Sequence, residues 1–111
     1  MEFSATNHES GVVVVRVEGQ LIVGNRQELK ALIQDALDEG KRRFLIDFAN
    51  TAYIDSSGLG ALVSISKKIR GQSGTLRLAG LNEDLRSLFE LTKLDTLFAI
   101  DASATQALAK F

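Results

Sequence analysis

The sequence predicts a single α/β domain, with a mixed β-sheet of about four to five strands packed with about four helices. Three observations carry that expectation. The run Val12-Val13-Val14-Val15-Arg16-Val17 is β-branched at every apolar position, which favours a strand. Leu29, Leu32, Ile33, Ala36 and Leu37 recur at the spacing of one helical stripe. Phe44-Leu45-Ile46-Asp47-Phe48 then resumes an apolar run, and the order strand, helix, strand requires a crossover and a parallel pair.

The elements follow in order. Residues 1–10 are polar, with Asn7, Glu9 and Ser10 among them, and predict a weak edge strand or a loose terminus before a turn at Ser10-Gly11. Val12 to Val17 is nearly all apolar, so both faces of that strand are expected to be covered for part of its length. After Glu18-Gly19-Gln20 and the short Leu21-Ile22-Val23-Gly24, Asn25 stands three residues before Glu28, which predicts an Asn cap with Glu28 reaching back. Gly40 supplies the left-handed residue that ends this first helix. In Phe44–Phe48, the lone acid Asp47 is expected to be hydrogen-bonded at the strand's wet end.

Tyr53-Ile54 leads into a corner, after which Leu59, Leu62, Val63 and Ile69 form a second helical stripe. The small residues Gly60, Ala61 and Ser64 beside it predict close packing on a sheet, and Gly71-Gln72-Ser73-Gly74 closes the helix. Thr75 to Ala79 alternates like a strand. Gly80-Leu81-Asn82 opens a third helix with Leu85, Leu88 and Phe89 on its core side, and Leu97 to Ile100 predicts a last strand. Ser103 with Gln106 is a second capping-box spacing, so Ala104 to Lys110 is expected to be a short terminal helix with Ala107 and Leu108 inward.

Composition bounds the function. The 111 residues make one domain over 1–111, and a chain of this length buries roughly two-thirds of its unfolded surface without disulfide or metal. There is no Cys, which removes thiolate zinc sites and thiol redox chemistry and fits a reducing compartment. The single His8 has no second His to share a metal with. A formal net charge of -1 favours neither nucleic acid nor an anionic membrane. Lys41-Arg42-Arg43 and Lys67-Lys68-Ile69-Arg70 fall at helix C-termini, where cations complement the dipole. No run approaches a membrane span and no secretory signal opens the chain. A soluble, cytoplasmic protein without a cofactor is expected.

Asp55-Ser56-Ser57-Gly58-Leu59-Gly60 is where the chemistry concentrates. Three residues able to cap a helix precede two glycines, leaving a serine hydroxyl near a positively polarised helix start. Enzyme templates fail there. A nucleophile elbow needs Gly two residues before the serine, where Ile54 and Asp55 stand. The dinucleotide fingerprint needs a third Gly beyond Gly58 and Gly60, and Val63 occupies it. Gly19 and Gly24 have phosphate-loop spacing, but Asn25-Arg26 follows in place of Lys and Ser or Thr. By residue type alone, either serine could be the reactive hydroxyl or simply a cap.

The run Phe44–Phe48 followed by Tyr53-Ile54-Asp55-Ser56-Ser57-Gly58-Leu59-Gly60-Ala61-Leu62 resembles the core motif of the STAS family, the anti-sigma factor antagonists. Gly19-Gln20-Leu21, the helix to Leu37 and the segment from Leu76 to Phe98 fall where that family has its other elements, so the resemblance covers almost the whole chain. It implies a STAS domain that binds an anti-sigma factor that is also a serine kinase, and so releases a sigma factor. It implies phosphorylation of the serine directly after the Asp, here Ser56, reversed by a serine phosphatase. The implied partner surface is Asp55, Ser56, Ser57, Gly58 and Leu59. Ile22-Val23 departs from the polar residue often found there in the family, and contributes to partner choice if exposed or finishes a buried strand if not. Two other readings stand beside it: a STAS subunit of a transporter or signalling assembly, and a small-nucleotide-binding module using the same helix start.

Overall fold

Val12 to Val17 is buried almost throughout, apart from Arg16, because its strand lies inside a sheet with helices on both faces. The computed structural model describes residues 2–111. Strand β1 (Phe3–Asn7) turns back through His8 to Gly11 and pairs antiparallel with β2 (Val13–Val17). The polar opening segment is thus an edge strand.

The chain then forms the short β3 (Gly19–Leu21) and the helix α1 (Arg26–Asp38), which buries Leu29, Ile33, Ala36 and Leu37. Gly40 at φ +93° takes the left-handed turn past the helix end that a side chain would oppose. Arg42 Nη1 donates to the carbonyls of Leu37 and Lys41, so this basic group closes a helix end. β4 (Arg43–Asp47) returns parallel to β2. Asp47 sits at its end, accepting from Ala49 N at 3.0 Å and facing Arg16 at 3.7 Å.

β5 (Thr51–Ile54) pairs parallel with β3 in a separate two-stranded ribbon, a feature absent from the sequence reading. The long α2 (Ser56–Gly71) leads to β6 (Thr75–Ala79), then α3 (Glu83–Leu91), a 3-10 turn at Leu94–Thr96, β7 (Ala99–Asp101) and α4 (Ala104–Leu108). The main sheet runs β1-β2-β4-β6-β7, with all but β1 parallel. It is the mixed five-stranded sheet with four helices that the pattern predicts.

Three local expectations change. Asn25 stands at the first helix start but makes no cap. Its ψ of -2° is not the extended backbone that aims a cap side chain at the helix amides. Instead the buried amide ties the preceding loop, accepting from Ile22 N at 2.9 Å and donating to Gln20 O at 2.9 Å and Glu2 Oε2 at 2.7 Å. Gly60 is exposed with open space where a Cβ would stand, so Ala61 and Gly58, not Gly60, carry the close packing of α2. The last strand starts at Ala99 rather than Leu97, because the 3-10 turn after Lys93 (φ +64°) keeps Leu97 helical and exposed. Phe98 is then turned inward, edge-on to Phe89 at 6.0 Å.

One sheet face meets α1, α2 and α3 through Val13, Val15, Phe44, Ile46 and Leu78. The other presents Val12, Val14, Leu45 and Ala79 to α4, which buries Ala107. Ser103 Oγ caps α4 by accepting from Gln106 N. Beside it the Asp101 carboxylate, 1% exposed, accepts from Arg77 Nε at 2.9 Å and Lys110 Nζ at 2.5 Å. The Arg77 hydrogen bond outweighs burial and, with Lys110, holds this carboxyl below the ordinary aspartate range.

Candidate functional site

The corner between β5 and α2 is held from beneath before any side chain reaches the surface. Asp55 N donates to Leu21 O at 3.1 Å, fastening the end of β5 to the end of β3. Asp55 is extended (φ -88°, ψ 179°), the backbone of an N-cap, and Leu59 N donates to its carbonyl at 3.0 Å. Its carboxylate is shared: Oδ1 accepts from Gly58 N at 2.7 Å, and Oδ2 from Val23 N at 3.1 Å. One side chain therefore caps the helix and anchors the loop after β3.

Gly58 is required by what lies under it. A Cβ there would stand 2.4 Å from Leu21 O and 2.9 Å from Ile54 Cγ2. Only a glycine lets the first turn of α2 lie this close to the ribbon. Gly58 and Leu59 are buried and support the surface from below.

The cap could have come from any of three adjacent residues, and Asp55 takes it. The serines are thereby free of that duty. Ser56, the first residue of the helix, is exposed, while Ser57 is half-buried. No acid stands in the first turn of the 16-residue helix, so the amides and dipole at its start face Ser56 with the Asp55 carboxylate as the nearest charge in sequence.

Of Ile22 and Val23, Ile22 is half-buried and Val23 is 61% exposed on the loop that Asp55 holds. Tyr53, 56% exposed on β5, is a neighbour that sequence reasoning missed. Alternation along the strand does not single it out, since Thr51, on the same side by period two, is buried. Ser56, Val23 and Tyr53 are thus exposed on the three segments that meet at the corner, the helix start, the loop after β3 and β5. His8 hydrogen-bonds Ser10 Oγ in the turn at the far end of β2, so it is no base for either serine. Among the described residues no cluster of acids and histidines suits a metal ion, and no helix is long and apolar enough to cross a membrane.

The fold and site define an α/β domain that displays a serine at the start of a helix capped by the preceding aspartate. The chain belongs to the STAS domain family, whose model matches residues 4–107. An anti-sigma-B factor antagonist of Staphylococcus epidermidis is 31% identical over 87 residues, 78% of this chain and 81% of that protein. A crystal structure of a Thermotoga maritima protein, described as a candidate anti-sigma factor antagonist, superposes with a TM-score of 0.90 at 26% identity, covering 97% of this chain and 92% of that one. The Bacillus anti-sigma factor antagonist SpoIIAA, solved unphosphorylated and phosphorylated, shares the fold with a TM-score of 0.76 at 21% identity in both forms, over 97% of this chain and at least 96% of that one.

Proposed function

We propose that this chain is an anti-sigma factor antagonist and a cytoplasmic phospho-switch without catalytic activity of its own. Its unphosphorylated form docks on an anti-sigma factor that is also a serine kinase, and so frees a sigma factor. Phosphorylation of Ser56 prevents docking, and a serine phosphatase restores it. Asp55, Ser56, Ser57 and Val23, backed by Gly58, Leu59 and Ile22, form the docking surface.

The observation that carries this reading is the division of labour at the corner. Asp55 spends its carboxylate on the amides of Gly58 and Val23, which leaves the Ser56 hydroxyl exposed on a rigid mount. A phosphoryl group there adds about -1.5 to -2 charge beside Asp55. Two unit charges ~4 Å apart interact by about 1 kcal/mol in water and about 4 kcal/mol at an effective dielectric near 20. Since ~1.4 kcal/mol is tenfold in affinity, burying that phosphate against a partner lacking a matching cation suffices to switch docking off. The helix amides accommodate the same charge internally, so the switch needs no refolding. That SpoIIAA is known in both phosphorylation states with the same fold match supports this mode of action.

The decisive measurement is mass spectrometry of the protein after incubation with its cognate anti-sigma kinase and ATP. Phosphate is expected on Ser56; phosphate on Ser57 would move the site, and no modification would remove the switch. Ser56→Asp is expected to weaken kinase binding at least tenfold in a titration, and undiminished binding would refute the electrostatic argument.

A further inference from the structure

We propose that β1 is a self-association edge, through which two copies of this chain pair antiparallel into one continuous sheet. Sheet edges are ordinarily protected by a charge, a proline, a bulge or a covering element. β1 reads Phe3-Ser4-Ala5-Thr6-Asn7, with no charged residue and no proline, and is exposed from Ser4 onward. Its pairing with β2 runs without a register shift from Phe3 opposite Val17 to Asn7 opposite Val13. It is the outermost strand of the main sheet.

The hydrogen bonds to β2 fix which groups are left over. Glu18 N donates to Glu2 O, and His8 N donates to Val12 O, so the even-numbered residues turn their backbone groups inward. In an antiparallel ladder this alternates strictly. Phe3, Ala5 and Asn7 therefore direct their N–H and C=O groups out of the open edge.

That set is self-complementary about Ala5. A two-fold axis through the strand centre places Ala5 opposite Ala5 of the second copy, and Phe3 opposite its Asn7. These are all outward-facing residues, so each pair exchanges both N–H···O bonds, as a hydrogen-bonded antiparallel pair requires. In the same register Ser4 meets Thr6, and Glu2 stands across from His8 of the second copy, so no like charges meet along the strand. A second copy satisfies the outward backbone groups of Phe3, Ala5 and Asn7 together, and brings Glu2 and His8 side by side at both ends of the pairing.

The symmetry supplies the test. Residue 5 faces itself across the axis, and its side chain is exposed, so Ala5→Lys or Ala5→Glu sets two like charges opposite each other while leaving the monomer's core untouched. Sedimentation equilibrium of the wild type is expected to show a concentration-dependent dimer. Each charged variant alone is expected to be monomeric, and an equimolar mixture of the two to dimerise again. Ala5→Pro removes only an outward N–H, which leaves the ladder to β2 intact, and should also give a folded monomer. A wild type that stays monomeric up to its solubility limit, charged variants that still dimerise, or a mixture that stays monomeric would overturn the proposal.

Discussion

Gly58→Ala and Gly60→Ala form a paired experiment in which the same methyl group, added two residues apart on one helix, is expected to act with opposite signs. At Gly58 the new Cβ would meet Leu21 O at 2.4 Å, Ile54 Cγ2 at 2.9 Å and Leu21 Cγ at 3.0 Å. The nearest obstacle is a backbone carbonyl already accepting from Asp55 N at 3.1 Å, so it cannot rotate aside as a side chain would. Overpacking of this kind costs about 1–3 kcal/mol, and a backbone obstacle puts it at the upper end. The helix-propensity gain of alanine over glycine returns only about 0.5–1 kcal/mol. A net loss of about 2 kcal/mol follows, equivalent to about 8–16 °C in Tm for a domain of ~100 residues. At Gly60 nothing lies within 4 Å of the added Cβ, so the propensity term acts alone and stabilises by about 0.5–1 kcal/mol. Urea unfolding followed by far-ultraviolet circular dichroism reads both. Equal stability of Gly58→Ala and the wild type, or equal losses from the two substitutions, would refute the close approach of α2 to the ribbon.

Two further predictions concern buried polar groups. Asp101→Asn is expected to cost about 1.5–3 kcal/mol at neutral pH, mostly through Arg77, because Lys110 is 57% exposed and solvent-screened. The folded pKa of Asp101 lies below its unfolded value, so the stabilisation is full above about pH 4 and is lost as pH falls through the folded value. Unfolding curves of wild type and variant should therefore converge below about pH 4, and a gap that persists into strong acid would contradict the ion pair. Asn25→Asp is expected to be worse than Asn25→Ala at neutral pH. It would set a buried carboxylate against the oxygens of Gln20 and Glu2 that Asn25 Nδ2 now satisfies, whereas Ala costs about 1–3 kcal/mol for the lost hydrogen bonds. Denaturation at neutral and mildly acid pH should show the difference narrowing as the new carboxyl protonates.

Much of the main sheet was legible because its signals are long and redundant. The valine run could only be a strand, and the stripe from Leu29 to Leu37 could only be a helix face. The ribbon was not legible, because Gly19–Leu21 is a three-residue strand whose conformation is set by pairing with Thr51–Ile54 rather than by its own residues. Asn25 and Glu28 have capping-box spacing, yet the amide finds better partners in Ile22, Gln20 and Glu2. Tertiary contact overrode a local signal there. At the corner, residue types left Asp55, Ser56 and Ser57 interchangeable as caps, and only the positions of the Gly58 and Val23 amides show that Asp55 takes the role. Of the two corner glycines, spacing cannot tell which one touches the ribbon, since that depends on how α2 is rotated about its axis.

The separation of the β3–β5 ribbon from the main sheet bears on how the protein opens. No strand of the ribbon is laddered to the five-stranded sheet, yet Leu21 and Ile54 are buried in the same core as Val15, Phe44 and Ile46, so the corner is expected to open with the core rather than ahead of it. The buried amides of Leu21 and Ile54 are therefore expected to exchange with solvent deuterium on the slow scale of those of Leu45 and Ile46. An enzyme working on Ser56 would then meet a fixed surface and must itself conform to the helix start.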